Sequence, residues 1–174
     1  MKLKLRPGRL PEGLPLRHPA SLLATWFGVG LMPVAPGTWG SLAALPVAWL
    51  VEHTTGRLGL AVALVLVVVA GIWASATVVR VGRARDPGLI VIDEVAGMFL
   101  TLLFTPLTWL GVSVAFLLFR AADIVKPFPA NWCDANVHGG LGVMLDDLVA
   151  GLYAGVVAWL FMEYVIRDHQ LFGL

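Results

Sequence analysis

Residues 120–147 hold a dense group of ionisable side chains in a chain of which only 13% of the residues are charged. Carboxylate oxygens suit Mg²⁺, which usually binds one or two protein carboxylates together with waters and substrate phosphate oxygens. Basic side chains beside such a metal would face the negative charge of the phosphate. The pattern therefore predicts metal-assisted chemistry on a phosphate group. The residues concerned are Arg120, Asp123, Lys126, Asp134, His138, Asp146 and Asp147.

A second acidic pair, Asp93-Glu94, precedes this stretch. Neighbouring residues on a helix point about 100° apart. We therefore expect one member of each acidic pair to bind the metal and the other to orient it or to cap the helix. Which member of Asp93/Glu94 and which member of Asp146/Asp147 binds the metal is not decided at this point.

The elements that must position these residues are apolar. Of the 174 residues, 59% are hydrophobic, and the mean hydropathy is +0.85, whereas a soluble domain has roughly a quarter of its residues charged. The composition predicts an integral membrane protein of one domain. The single cysteine, Cys133, excludes an internal disulfide framework.

Apolar runs and their breaks predict an all-α fold, a bundle of about five membrane-embedded helical segments preceded by a short interfacial helix at 21–27. One pair of segments forms a hairpin that turns near Pro106. We expect a basic cytoplasmic tail at 1–20, a membrane-embedded catalytic domain at 21–166 and a short tail at 167–174. The five predicted segments begin at residue 38 or 41 and run to about 51, then cover 58–79, 90–104, 108–124 and 145–165.

The basic residues predict the orientation of the bundle. With five segments, Arg57 and Arg167 fall on one side and all other Lys and Arg residues fall on the other. Cytoplasmic loops are enriched in these residues, so the N-terminus is expected in the cytoplasm. The cytoplasmic set is Lys2, Lys4, Arg6, Arg9, Arg17, Arg80, Arg83, Arg85, Arg120 and Lys126.

Spacing along the predicted hairpin brings the acidic residues together. Asp93 lies 13 residues before Pro106 and Asp123 lies 17 after it, or roughly 20 and 26 Å at 1.5 Å per residue. Both ends return to a similar depth, where Asp146 begins the last segment. Three acidic elements are therefore expected to converge at the cytoplasmic end of the bundle.

Each of these features also has a plain structural explanation. Asp146-Asp147 could simply favour a helix N-terminus, Asp123 could pair with Arg120 at i,i+3, and Asp93-Glu94 could pair with Arg83 or Arg85. The glycines at 139–142 could form a linker. The combination of all these features on one side favours a functional site.

Three blocks of the sequence, 27–41, 92–98 and 120–151, resemble the phosphatidylglycerophosphatase A family of the bacterial inner membrane. The most specific features are Ile-Asp-Glu-Val-Ala-Gly-Met at 92–98 and Arg-Ala-Ala-Asp-Ile-Val-Lys-Pro-Phe-Pro at 120–129. The resemblance implies Mg²⁺-dependent hydrolysis of phosphatidylglycerophosphate to phosphatidylglycerol and phosphate. Ala135 departs from the family, where a basic residue is expected.

Residue roles follow from the chemistry and the resemblance together. As partners we expect membrane lipids around the enzyme and no nucleic acid, and a homo-oligomer is left open. Catalysis is assigned to Asp123, Lys126, His138 and Asp146, and metal binding to Asp93, Glu94, Asp123, Asp146 and Asp147. Substrate binding is assigned to Gly37, Thr38, Arg120, Gly139 and Gly140, whose main-chain amides or side chains could hold a phosphate.

Two other functions compete with this one. A small carboxylate-based ion or proton transporter would bury its carboxylates near the midplane of the membrane, whereas here they lie at segment ends. A metal-dependent phospholipid phosphotransferase would carry an Asp-Gly-x-x-Ala-Arg run with further spaced aspartates, which this sequence lacks.

Overall fold

The computed structural model describes residues 9–82 and 88–172, and within these ranges the regular elements are helices, with no strand. The predicted all-α fold is therefore confirmed. A 3₁₀ turn at Val29–Leu31 separates the first two helices. The helices are α1 Pro19–Ala24, α2 Pro36–Gly82, α3 Ile92–Leu103, α4 Trp109–Val125, α5 Ala130–Asn136 and α6 Gly139–Phe172.

Helix α2 begins earlier than predicted and has two halves. Pro36 opens it, because the fixed φ of proline suits the first turn and its missing N–H is not needed there. Thr38 and Ser41, the two predicted starting points of this segment, consequently lie inside the helix, and the predicted start is wrong. At Gly56 the backbone takes φ 72° and ψ −175°, which interrupts the helix between 36–55 and 57–82.

Helix α6 also begins earlier than predicted, at Gly139 rather than near residue 145. The reason is packing: a Cβ on Gly140 would lie 2.0 Å from the carbonyl oxygen of Ile72, so only glycine allows this close approach to α2. The short helix α5 was not predicted.

Helix α3 forms the centre of the bundle, packed against α2, α4 and α6. Its side chains are buried almost all round, including Val95, Met98, Phe99 and Leu102. A helix that is apolar on every side belongs in a core. The N-terminus of α3 is fixed by a hydrogen bond that the Val91 N–H donates to the carbonyl of Ala24, 2.8 Å away.

Two helices in the described ranges are long and apolar enough to cross a membrane: Pro36–Gly82 and the Gly139–Val165 part of α6. Many of their apolar side chains face outwards, among them Leu58 (77% exposed) and Leu66 (64%). An exposed apolar surface of this extent indicates a membrane protein. The five embedded segments and the embedding of the α3–α4 pair stay predictions.

Candidate active site

A cavity of about 630 Å³ lies where several helix ends meet. The beginnings of α2, α3 and α6 and the end of α4 contribute to it. Most of the residues that the sequence assigned to a site line this cavity. They are Gly37, Asp93, Glu94, Arg120, Asp123, Lys126, His138, Gly139, Asp146 and Asp147.

Asp93, Glu94 and Asp147 form the acidic cluster of the cavity. Each offers one carboxylate oxygen, and these three oxygens lie within 4.8 Å of one another. Glu94 Oε2 and Asp147 Oδ2 are buried without a hydrogen-bond partner. Buried carboxylates are costly unless a cation compensates their charge. The three residues offer only oxygen ligands and carry three negative charges when ionised. They therefore fit a divalent cation such as Mg²⁺.

Two glycines allow α3 and α6 to bring these carboxylates together. A Cβ on Gly97 would lie 2.7 Å from the carbonyl oxygen of Asp147, and one on Gly151 would lie 2.5 Å from that of Gly97. Thr101 joins the same two helices, because its hydroxyl lies 3.1 Å from the Gly151 carbonyl. The acidic cluster is thus set by backbone packing one turn away.

Arg120 is held between two helices at the edge of the cavity. Its Nη1 lies 2.7 Å from Asp123 Oδ2 and 3.4 Å from the hydroxyl of Ser41 on α2. Gly37 makes room for the neighbouring groups, since a Cβ there would lie 2.1 Å from Glu94 Oε1. The Arg120–Asp123 helix pair foreseen as a structural alternative is present, and it lies inside the cavity.

Lys126 ends α4 in the left-handed conformation, with φ 48°. Pro127 follows and cannot continue the helix. The ammonium group donates to Asp146 and also lies 3.4 Å from Asp134 Oδ1. Burial alone would lower the pKa of Lys126, but the hydrogen bond to Asp146 and the charges of Asp146, Asp134 and Asp147 outweigh it and raise the pKa above the usual value. Lys126 is therefore charged at neutral pH.

The remaining predicted site residues differ in their placement. His138 is exposed on the cavity wall, with Nδ1 2.9 Å from the carbonyl oxygen of Asn136. Gly139, with φ 77°, lines the cavity. Thr38 and Gly140 are outside the cavity lining, and Gly140 packs against α2 instead. Arg83 and Arg85, the alternative partners of Asp93-Glu94, lie outside the described residues.

Two residues that contact the basic side chains of the cavity were not assigned a role from the sequence. Asp134 pairs with Lys126, and Ser41 contacts Arg120. Asp134 stood in the charged stretch, which was a usable signal. The contact of Ser41 could not be predicted, because it joins residues 79 positions apart in the chain.

Comparison with known proteins identifies the family of the chain. The profile of the family described as phosphatidylglycerophosphatase A matches residues 22–162. The chain belongs to the phosphatidylglycerophosphatase A family. That match includes every residue that lines the cavity.

Individual members of the family are similar over most of their length. A protein of Escherichia coli (strain K12) named phosphatidylglycerophosphatase A is 40% identical over 163 residues, 92% of this chain and 91% of the relative. Its namesake from Haemophilus influenzae is 36% identical over 152 residues, 87% of this chain and 93% of the relative. A Bacteroides thetaiotaomicron protein, provisionally named a phosphatidylinositol-3-phosphatase, is 39% identical over 78% of this chain and 89% of its own. No solved structure matches the chain.

Proposed function

We propose that the protein is a phosphatidylglycerophosphatase, which hydrolyses the terminal phosphomonoester of phosphatidylglycerophosphate to phosphatidylglycerol and inorganic phosphate. The observation that carries this proposal is one cavity that combines three clustered carboxylates with two fixed cations, Arg120 and Lys126. Membership of the phosphatidylglycerophosphatase A family names the substrate. The fit of the carboxylates to a divalent cation supports Mg²⁺ as the cofactor.

The residues of the chain divide the work among them. Asp93, Glu94 and Asp147 would hold Mg²⁺, which when bound polarises the phosphate and activates water. Arg120 and Lys126 bind the phosphate oxygens, since each carries a positive charge at the cavity wall. Asp123 and Asp146 orient these two cations through their ion pairs. We assign to His138, which is exposed on the wall, the donation of a proton to the leaving glycerol oxygen.

Asp123 and Asp146 were also predicted as metal ligands. Their ion pairs favour the orienting role, and Asp146 Oδ1 is buried without a hydrogen-bond partner, so it remains available to a ligand in the cavity. The backbone around Gly37 and Gly139 completes the proposed phosphate site, because both residues line the cavity. Thr38 and Gly140 receive no further support as substrate-binding residues.

We place the enzyme in the bacterial cytoplasmic membrane, with its N-terminus and active site on the cytoplasmic side. The two candidate spanning helices and the bacterial relatives support the membrane. The distribution of Lys and Arg supports the orientation. A lipid headgroup could enter the cavity there while its acyl chains stay in the bilayer.

Phosphate release by the purified protein in detergent tests the proposal. We expect release from phosphatidylglycerophosphate with Mg²⁺ and none with excess chelator, and the rate should recover when Mg²⁺ is restored. Phosphatidic acid and phosphatidylinositol-3-phosphate serve as competing substrates, and each should be hydrolysed more slowly. Full activity in chelator would exclude the metal role, and a preference for either competitor would reassign the substrate.

A further inference from the structure

A second cavity, of about 780 Å³, lies between α2 and α4. Ligand pockets commonly measure about 300–1,000 Å³. Its lining is predominantly apolar, and the hydroxyl oxygen of Thr108 is already engaged by the Gly111 N–H at 3.1 Å. This lining suits a hydrocarbon chain. We call it the α2–α4 groove; its residues are Leu45, Pro46, Trp49, Leu107, Thr108, Trp109 and Val112.

The α2–α4 groove and the phosphate cavity are both lined by α2 and α4, and we call the two rows of residues that run between them, one on each helix, the seam. Residues four apart lie on one face of a helix, so the seam can be followed in steps of four along both helices. Near the phosphate cavity, Arg120 Nη1 lies 3.4 Å from Ser41 Oγ. The other end of the seam lies at the groove. The seam consists of Gly37, Ser41, Leu45 and Trp49 on α2, of Arg120, Phe116 and Val112 on α4, and of Thr108 directly before α4.

The depth of the groove matches that of a lipid tail. Leu45 and Trp49 lie eight and twelve residues beyond Gly37, or about 12 and 18 Å along the helix. One leaflet of the hydrocarbon core is about 15 Å thick, half of the roughly 30 Å of the whole core. An acyl chain attached to a headgroup in the phosphate cavity would therefore reach the groove.

We propose that the α2–α4 groove binds an acyl chain of the lipid whose phosphate occupies the first cavity. This inference rests on the proposed function and adds a second binding site to it. Because lipid tails are as apolar as leucine, the chain gains packing and orientation in the groove and little hydrophobic free energy. The groove therefore contributes by orienting the lipid so that its phosphate is held at the reacting position. Its loss should therefore reduce turnover of a long-chain lipid and spare a lipid too short to reach it.

Filling the groove tests this. The double variant Leu45→Trp/Val112→Trp is compared with the unsubstituted protein on dipalmitoyl and on dibutyryl phosphatidylglycerophosphate in detergent. We expect kcat/KM for the dipalmitoyl lipid to fall roughly three- to tenfold, through lost orientation, and kcat/KM for the dibutyryl lipid to stay within about twofold. The control is Val65→Trp/Leu117→Trp, which adds the same rings at outward positions, 60% and 66% exposed. It should leave both rates unchanged.

Each other result has a defined meaning. An equal loss with both substrates would show a packing defect and overturn the inference, as would no loss with either. A loss in the control variant equal to that in the groove variant would also overturn it. If the double variant does not fold, the single variant Val112→Phe is measured in the same way. If the unsubstituted protein hydrolyses neither lipid, the proposed function itself fails, and the groove loses its ligand.

Discussion

Asp146 and Asp147 are neighbours in the sequence but face different partners. Asp147 points to Asp93 and Glu94, while Asp146 pairs with Lys126. The helix allows this difference, since successive side chains diverge by about 100°, although the successive residues Asp93 and Glu94 share one cluster. One acid is thereby left to bind a cation, and the other holds a basic side chain against the same cavity.

Asp147→Asn tests the acidic cluster. Removing one of three ligand charges should lower phosphatase activity at least about 100-fold. Without Mg²⁺ the variant should be no less stable than the unsubstituted protein, because Asp147 is repelled by Glu94, Asp123 and Asp146.

Thermal unfolding with and without Mg²⁺ gives a readout independent of activity. Mg²⁺ should raise the melting temperature of the unsubstituted protein and have little effect on Asp147→Asn, because a ligand stabilises only the form that binds it. Glu12→Gln, an exposed acid away from the cavity, is the control and should respond as the unsubstituted protein does. An unchanged response to Mg²⁺ in Asp147→Asn would remove this residue from the metal site.

The residues that line the cavity could be predicted from the sequence better than the contacts among them. The acids and cations that line the cavity could be predicted, because charge is rare in this chain and both acidic pairs and the charged stretch at 120–147 interrupt its apolar runs. The pairing of Lys126 with Asp146, 20 residues apart, could not. It depends on where α4 ends and on how α6 packs beside it, and neither is a local property of the sequence.

At the scale of elements, the acidic cluster depends on the approach of α3 and α6. Asp93 and Asp147 each lie four residues before a glycine, Gly97 and Gly151, and these two glycines touch. Residues four apart lie on the same helix face. The glycine contact therefore sets the distance between the carboxylates one turn away.

Gly97→Ala tests this dependence. The added Cβ would lie 2.5 Å from the Phe119 ring and 2.7 Å from the Asp147 carbonyl oxygen, so α3 must move. Overpacking of this kind costs about 1–3 kcal/mol. We expect a lower midpoint of thermal unfolding together with a marked loss of phosphatase activity. Gly88→Ala, where a Cβ meets nothing within 4 Å, is the control for stability alone. Unfolding of Gly97→Ala at the same temperature as the unsubstituted protein would contradict the expected clash.

Helix starts were the least predictable part of the fold. The glycines at 139–142 indicated a loop because glycine lowers helix propensity, yet α6 begins at Gly139 since Gly140 packs against Ile72. The break at Gly56 was correctly placed between two predicted apolar segments, because the polar residues around Gly56 interrupt the apolar sequence. Tertiary packing decides the first case and local composition the second.

At the scale of the whole molecule, the phosphate cavity and the break at Gly56 lie near opposite ends of α3. Arg57 donates to the carbonyl oxygen of Leu103 at 2.7 Å, so the break at Gly56 lies beside the C-terminus of α3. The acidic cluster lies at the opposite end of α3. With a cytoplasmic active site, the segment around Gly56 would face away from the cytoplasm.

Cysteine labelling tests that orientation. In a Cys133→Ser background, single cysteines replace three exposed residues, Glu12, Thr54 and Asn136. A membrane-impermeant maleimide applied to spheroplasts should label Glu12→Cys and Asn136→Cys poorly and Thr54→Cys well, and inverted vesicles should give the reverse. The reason is that cytoplasmic loops carry the excess of Lys and Arg. In the five-segment prediction, Glu12 and Asn136 lie on the same side of the membrane as most of these residues. The opposite pattern would place the active site outside the cytoplasm. Equal labelling of all three from one side would mean that the 36–55 half of α2 does not cross the membrane.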